Sequence, residues 1–145
     1  MTGAMEWISN FLYAAMLAGV PLLYGTLGEI LTEKAGNVNL GVEGMMYMGA
    51  VFGFMGAYYL DSAAAALLFA FLGGLGGALV YAFLTVTLKA NQNVAGLTLT
   101  IFGTGLANLL GTNMVNASGS GAAMVSDSIK AIFRPLDMGA LTALP

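Results

Sequence analysis

Long apolar stretches separated by short polar ones make up most of this chain. Three stretches, 7–28, 62–88 and 90–126, contain no Asp, Glu, Lys or Arg. Each exceeds the roughly 18 residues that predict a membrane-spanning helix. A shorter run, 45–60, reaches full length only with residues from the polar stretch before it. The pattern predicts an all-α, polytopic transmembrane bundle in a single domain over 1–145, with four membrane segments at about 7–31, 43–60, 63–88 and 94–115.

Composition supports an integral membrane protein. Of 145 residues, 59% are hydrophobic and 8% are charged, whereas about a quarter are charged in soluble domains. The first segment is too long for a signal peptide and its leader lacks a basic residue, so we expect it to be retained. The chain has no Cys and no His, which excludes thiol or imidazole catalysis and the usual zinc ligands. A net charge of −3 gives no basic surface for nucleic acid.

Glycine pairs predict how the segments pack. Gly49 and Gly53 in the second segment, and Gly73 and Gly77 in the third, have the small-xxx-small spacing that lets helices approach closely. The third segment would be about 40 Å long as a helix, more than the hydrocarbon core. Its glycine cluster is therefore predicted to be a bend or a close-packing point.

Charges near the segment ends indicate an orientation. Lys34 and Lys89 lie close to segment ends, and the positive-inside rule places them in the cytoplasm. Asp61 and an extracytoplasmic loop over 116–145 then lie outside, with a short helix expected near 128–133 and a break before Pro135. The N-terminus would also lie outside, unless the polar stretch itself crosses part of the bilayer.

A polar, glycine-rich block from Glu29 to Gly44 separates the first two segments. It predicts a broken or re-entrant stretch near 35–45, because glycines on both sides permit non-helical backbone. Glu29 and Glu33, four residues apart, favour a helix end with a solvated acidic face. For Glu43, helix capping and a functional carboxylate both stay open, since intramembrane charge needs a partner, water or a task.

Polar side chains recur every four residues in the fourth segment. Thr100, Thr104 and Asn108 form a slowly turning stripe on a helix, which Thr112 extends. Such groups hold membrane helices together or bond their own turn. They also suit a pathway for sugars or nucleosides, and the pattern leaves both interpretations open.

Three runs of sequence resemble a known family. The run 22–46, centred on Asn-Leu-Gly-Val-Glu-Gly at 39–44, resembles the signature of bacterial ABC-transporter permeases of the branched-chain amino acid and simple-sugar (ribose-type) family. Runs 93–106 and 129–145 are similar to its next hallmark and the loop after it. The closest resemblance is to the subgroup that works with basic-membrane-protein lipoproteins and takes up nucleosides or sugars. Members are considerably longer, so the resemblance covers an N-terminal portion.

The resemblance implies a multi-pass permease subunit in the bacterial cell membrane. Its implied partners are a second permease, ATP-binding subunits and an extracytoplasmic substrate-binding lipoprotein. ATP would bind those partners, since this chain has no phosphate-binding loop and is expected to bind no cofactor. The residues predicted to shape the broken stretch are Asn37, Asn39 and Glu43, and those predicted to face the pathway are Thr100, Thr104 and Asn108.

Two other classes of protein fit parts of the pattern. Short length and glycine-rich helix faces also suit a small oligomeric channel or a membrane-embedded structural subunit. An intramembrane enzyme fits least, because Glu43 and Asp61 would have to act without His or Cys.

Overall fold

The computed structural model describes residues 2–119 and 121–134. Within them the regular structure is helical and no strand occurs, which confirms the all-α prediction. The helices are α1 (Thr2–Lys34), α2 (Val42–Leu60), α3 (Ala63–Ala82), α4 (Gln92–Ser118) and α5 (Asp127–Ile132). A π-helical turn, Phe83–Thr87, extends α3. Among the described residues, three helices are long and apolar enough to cross a membrane: Gly3–Lys34, Ala63–Thr87 and Gln92–Ser118.

α2 is the centre of the bundle. It has 19 residues, or about 28 Å of helix, and packs against both α3 and α4, which contact each other far less. α1 runs antiparallel to α2 and meets it through its C-terminal third, where Gly25 faces Met46. The 18-residue apolar window of α1 that could span a membrane has none of its residues buried.

α3 continues without a break through its glycine cluster. Gly73 and Gly77 are buried against α2, so this cluster is a close-packing point. The departure from α-geometry comes later, where Leu88 N–H donates to Phe83 O across a π-turn. Lys89 then takes a left-handed conformation (φ 52°), and the Asn91 side chain caps α4.

α4 extends further than the sequence pattern predicts. It runs to Ser118 and ends at Gly119, whose φ of 66° is a left-handed cap. Residues 116–118, predicted as the start of a loop, therefore continue the helix. Residue 120 and residues 135–145 lie outside the described residues, whereas a helix end before Pro135 is present, at Ile132.

α5 docks at the far end of the α2–α3 hairpin. Ile129 is buried with Ala57 and Ala66, and Ser126 Oγ donates to Asp61 Oδ1 at 2.5 Å. A helix expected near 128–133 is thus present at Asp127–Ile132. Asp61 and α5 lie at one end of the bundle, whereas the α1–α2 and α3–α4 connections lie at the other.

Candidate functional site

Residues 35–41, here named the connecting segment, leave helical geometry between α1 and α2. The end of α1 is a Schellman-type cap: Gly36 N–H donates to Glu33 O at 2.9 Å and Asn37 N–H donates to Thr32 O at 3.0 Å. Gly36 has a φ of 85°, which glycine adopts without a Cβ clash. The glycine block therefore ends the first helix at a defined residue.

Gln92, the first residue of α4, bonds the connecting segment at three points. Its Oε1 accepts from Val38 N–H at 2.9 Å. Its Nε2 donates to Gly36 O at 3.3 Å and to Asn37 Oδ1 at 2.9 Å. One neutral side chain thus satisfies two backbone groups and fixes the predicted site residue Asn37.

Tyr81 and Thr100 bond the segment from two further helices. The buried Tyr81 of α3 donates its hydroxyl to Val38 O at 2.7 Å. Thr100 of α4 donates to Leu40 O at 2.9 Å. These bonds satisfy backbone groups of the segment that have left the helical hydrogen-bond pattern.

Glu29 contributes the one charged group among these contacts. Its Oε1 accepts from Asn39 N–H at 2.7 Å, and its Oε2 accepts from Thr32 Oγ1 at 3.1 Å. The expectation of a solvated acidic face is therefore wrong for Glu29, which is half-buried, although Glu33 is exposed. The reason is that the segment folds back over the last turn of α1. We name Glu29, Tyr81, Gln92 and Thr100 together the clasp.

Asn39 forms a turn within the connecting segment, just before α2 begins. It is buried, and its Oδ1 accepts from Gly41 N–H at 2.9 Å, forming an Asx turn. Its Nδ2 approaches Met45 Sδ at 3.8 Å. The side chain therefore bonds backbone and core at the point where helical geometry resumes.

The connecting segment descends into the bundle. Its first half bonds Gln92 and its second half bonds Thr100, positions about 12 Å apart along α4 at about 1.5 Å per residue. α2 therefore begins roughly two turns inside the N-terminal end of α4. This depth makes the stretch a break in the helical path within the bundle, not a turn on top of it.

Glycines allow this descent by removing side chains between α2 and α4. A Cβ added at Gly44 would overlap backbone of Leu99, and one at Gly103 would overlap backbone of Gly44. A Cβ at Gly96 would lie 2.9 Å from Gly41 N. The pairs Gly44–Gly103 and Gly41–Gly96 thus bring α2, and the residue just before it, directly against the backbone of α4.

The four glycines that the sequence pattern identified lie where another face of α2 meets α3. Added Cβ atoms at Gly49 and Gly53 would lie 3.1 Å from Ala70 O and 2.8 Å from Ala70 Cβ. Those at Gly73 and Gly77 would lie 2.9 Å from Met48 O and 3.0 Å from Met45 Cγ. All four are buried, so α2 and α3 meet along both glycine pairs.

Glu43 is exposed in the first turn of α2. Within residues 2–119 and 121–134, no side chain or backbone group hydrogen-bonds its carboxylate. It borders an open cavity of about 320 Å³ between α1 and α2. The described residues contain no cluster of three or more His, Cys, Asp or Glu side chains that could hold a metal ion.

The members of the polar stripe on α4 have different surroundings. Thr100 bonds the connecting segment, whereas Thr104 Oγ1 donates to Thr100 O at 2.8 Å, within its own helix. Asn108 is exposed, one further turn along. The structure therefore brings Asn37, Asn39 and Thr100 together at the segment and leaves Asn108 apart from them.

Sequence reasoning missed two members of the clasp. Gln92 stood in a polar loop with two asparagines, and Tyr81 stood inside an apolar segment. A signal for Tyr81 was available, because a tyrosine hydroxyl within a membrane helix needs a hydrogen-bond acceptor. Nothing in the sequence distinguished Gln92 from its neighbours.

Comparison with known proteins identifies the family. Residues 8–135 match the family described as branched-chain amino acid transport system / permease component, and the chain belongs to it. No solved structure matches the chain. Membership agrees with a multi-pass membrane location, a transporter class and the resemblance seen in the sequence.

Two relatives come from different organisms. A putative glucose ABC transporter permease protein of Haloferax volcanii is 39% identical over 122 residues, which are 81% of this chain and 36% of the relative. A guanosine ABC transporter permease protein of Bacillus subtilis is 30% identical over 107 residues, 70% of this chain and 34% of the relative. The chain thus spans about a third of the length of each.

Proposed function

We propose that this chain forms part of the translocation pathway of an ABC importer for a nucleoside or a simple sugar. The observation that carries the proposal is the irregular backbone of the connecting segment, which the clasp bonds to α1, α3 and α4. Non-helical backbone at membrane depth is tolerated where protein buries it or a cavity adjoins it, and transporters build solute sites at broken helices. The glucose and guanosine in the relatives' names support a hydroxyl-rich solute.

The predicted site residues take two roles in this proposal. Asn37 accepts from Gln92, Asn39 accepts from Gly41 N–H and Thr100 donates to Leu40 O, and these three bonds fix the shape of the broken stretch. Glu43 and Asn108 face the pathway with polar groups that are free to bind solute, and Thr104 bonds Thr100 O within α4. None of these residues is a catalyst.

Transport in this proposal is powered by partners. ATP-binding subunits, a second permease and an extracytoplasmic substrate-binding lipoprotein complete the importer, as the family implies in general terms. ATP binds those subunits, since this sequence has no phosphate-binding loop.

Uptake of labelled glucose and guanosine tests the proposal. Cells carrying the complete transporter should accumulate one of them. Deletion of this gene, or inactivation of the partner ATPase, should remove that uptake. Solute passage through liposomes that contain the purified chain without ATP or partners would instead favour an oligomeric channel.

A further inference from the structure

The cavity between α1 and α2 has one charged and one aromatic group on its wall. Its volume is about 320 Å³, at the lower end of small-molecule sites. The lining residues are Leu22, Glu43, Met46, Tyr47 and Ala50. Glu43 and Tyr47 are four residues apart on α2, so they lie on one face of the helix.

The Glu43 side chain is exposed, at the level along the bundle axis where α2 and α4 cross. The adjacent Gly44 packs against Leu99 and Gly103, well inside α4. A carboxylate at such a depth is unfavourable without a hydrogen-bond donor or water, and the described residues offer it no donor. The open cavity is where a donor would come from.

We propose that Glu43 and Tyr47 form a subsite for the vicinal hydroxyls of a sugar or ribose ring, an inference that rests on the proposed function. The two carboxylate oxygens of Glu43 accept hydrogen bonds from neighbouring hydroxyls. The Tyr47 ring, 51% exposed, packs against the apolar C–H face of the same ring. Met46, Leu22 and Ala50 complete the apolar wall.

A neutral hydroxylated ring fits this wall better than a cation does. Glu43 stands in the first turn of α2, where the positive end of the helix dipole already offsets part of its charge. Hydroxyl donors then suffice to complete its hydrogen bonds. Beyond Glu43 and Tyr47 the lining is apolar, which suits the C–H face of a ring.

The test measures concentration dependence of uptake in cells with the complete transporter. The probe is labelled guanosine or glucose, whichever the wild type accumulates, and the competitors are the unlabelled solute and its 2′-deoxy or 2-deoxy analogue. Glu43→Gln should raise KM about tenfold or more, because a hydrogen bond to a charged group is lost. It should also abolish the preference for the solute over the deoxy analogue.

Companion variants separate binding from folding. Tyr47→Ala should raise KM, whereas Tyr47→Phe, which keeps the ring, should restore it. Glu33→Gln removes an exposed acid outside the cavity and should leave KM unchanged. Immunoblots of membranes show whether each variant is present in wild-type amount.

Two results overturn the subsite separately from the proposed function. If the wild type accumulates the solute but Glu43→Gln keeps its KM and its preference over the deoxy analogue, the subsite is wrong and the importer stands. A loss of uptake that only follows the amount of protein in the membrane also shows a structural role. If the wild type accumulates neither solute, the proposed function and the subsite both fail.

Discussion

At the scale of single residues, Gln92 is the side chain of the clasp that makes the most hydrogen bonds to the connecting segment. It supplies an acceptor and a donor to backbone 54 and 56 residues away in sequence. An amide suits this task because it carries both kinds of group on one planar end. A leucine of similar size would leave Val38 N–H and Gly36 O without partners.

Gln92→Leu is therefore expected to destabilise the bundle by about 0.5 to 1.5 kcal/mol, the net contribution of a hydrogen bond, because the bonds to Val38 N–H and Gly36 O are exposed. Thermal unfolding of purified protein in detergent measures the effect. Asn93→Leu is the matched control, since the Asn93 side chain is exposed and makes no clasp bond. Equal unfolding temperatures for the two variants would contradict the assigned role of Gln92.

Glu29 separates hydrogen bonding from charge. Glu29→Gln keeps an oxygen that accepts from Asn39 N–H, so we expect a loss below about 1 kcal/mol. Glu29→Leu leaves that N–H unsatisfied, and we expect a loss of about 1 to 3 kcal/mol. The same unfolding assay compares the two variants. A larger loss of stability for Glu29→Gln than for Glu29→Leu would show that a hydrogen-bond acceptor is not what Glu29 contributes.

At the scale of elements, the glycine crossing of α2 and α4 sets the depth of the connecting segment. Gly103→Ala places a methyl group into the backbone of Gly44, and we expect a loss of about 1 to 3 kcal/mol or more from overpacking. Gly105→Ala, two residues on, meets nothing within 4 Å and should gain up to about 1 kcal/mol of helix propensity. Denaturant unfolding of both variants checks the opposite signs.

Helices were more predictable than their contacts. Apolar runs predicted the all-helical class, and the glycine block predicted non-helical backbone near 35–45, because both follow from local sequence. The non-helical part is 35–41, and residues 42–45 already belong to α2. The Gly44–Gly103 contact was not predictable, since a glycine shows that a helix has a groove but not which helix fills it. For the same reason Glu29 resembled a solvated helix end, while its partner Asn39 N–H is placed by the fold-back of the segment.

At the scale of the whole molecule, the bundle has two distinct ends. Lys34 lies at the end with the connecting segment, and Lys130 of α5 lies at the end with Asp61. Because the chain has no Cys, single substitutions Lys34→Cys and Lys130→Cys are selectively labelled by a membrane-impermeant thiol reagent. We expect the two to react from opposite faces of the membrane, with Lys34→Cys on the cytoplasmic face.

Labelling of both positions from one face would contradict this arrangement. Lys34 and Lys130 are both exposed, so burial does not prevent the reagent from reaching either position. The result bears on the pathway, because the connecting segment then enters the bundle from the face where ATP is available.

The clasp is built almost entirely from uncharged groups, and this has a consequence for its response to salt. Dissolved ions screen the attraction between exposed opposite charges. The screening length falls from about 10 Å at 0.1 M salt to about 3 Å at 1 M. Amide and hydroxyl bonds to backbone are not screened in this way. The clasp should therefore be as stable at 1 M salt as at 0.1 M salt. An unfolding temperature that hardly changes between these two concentrations would show it.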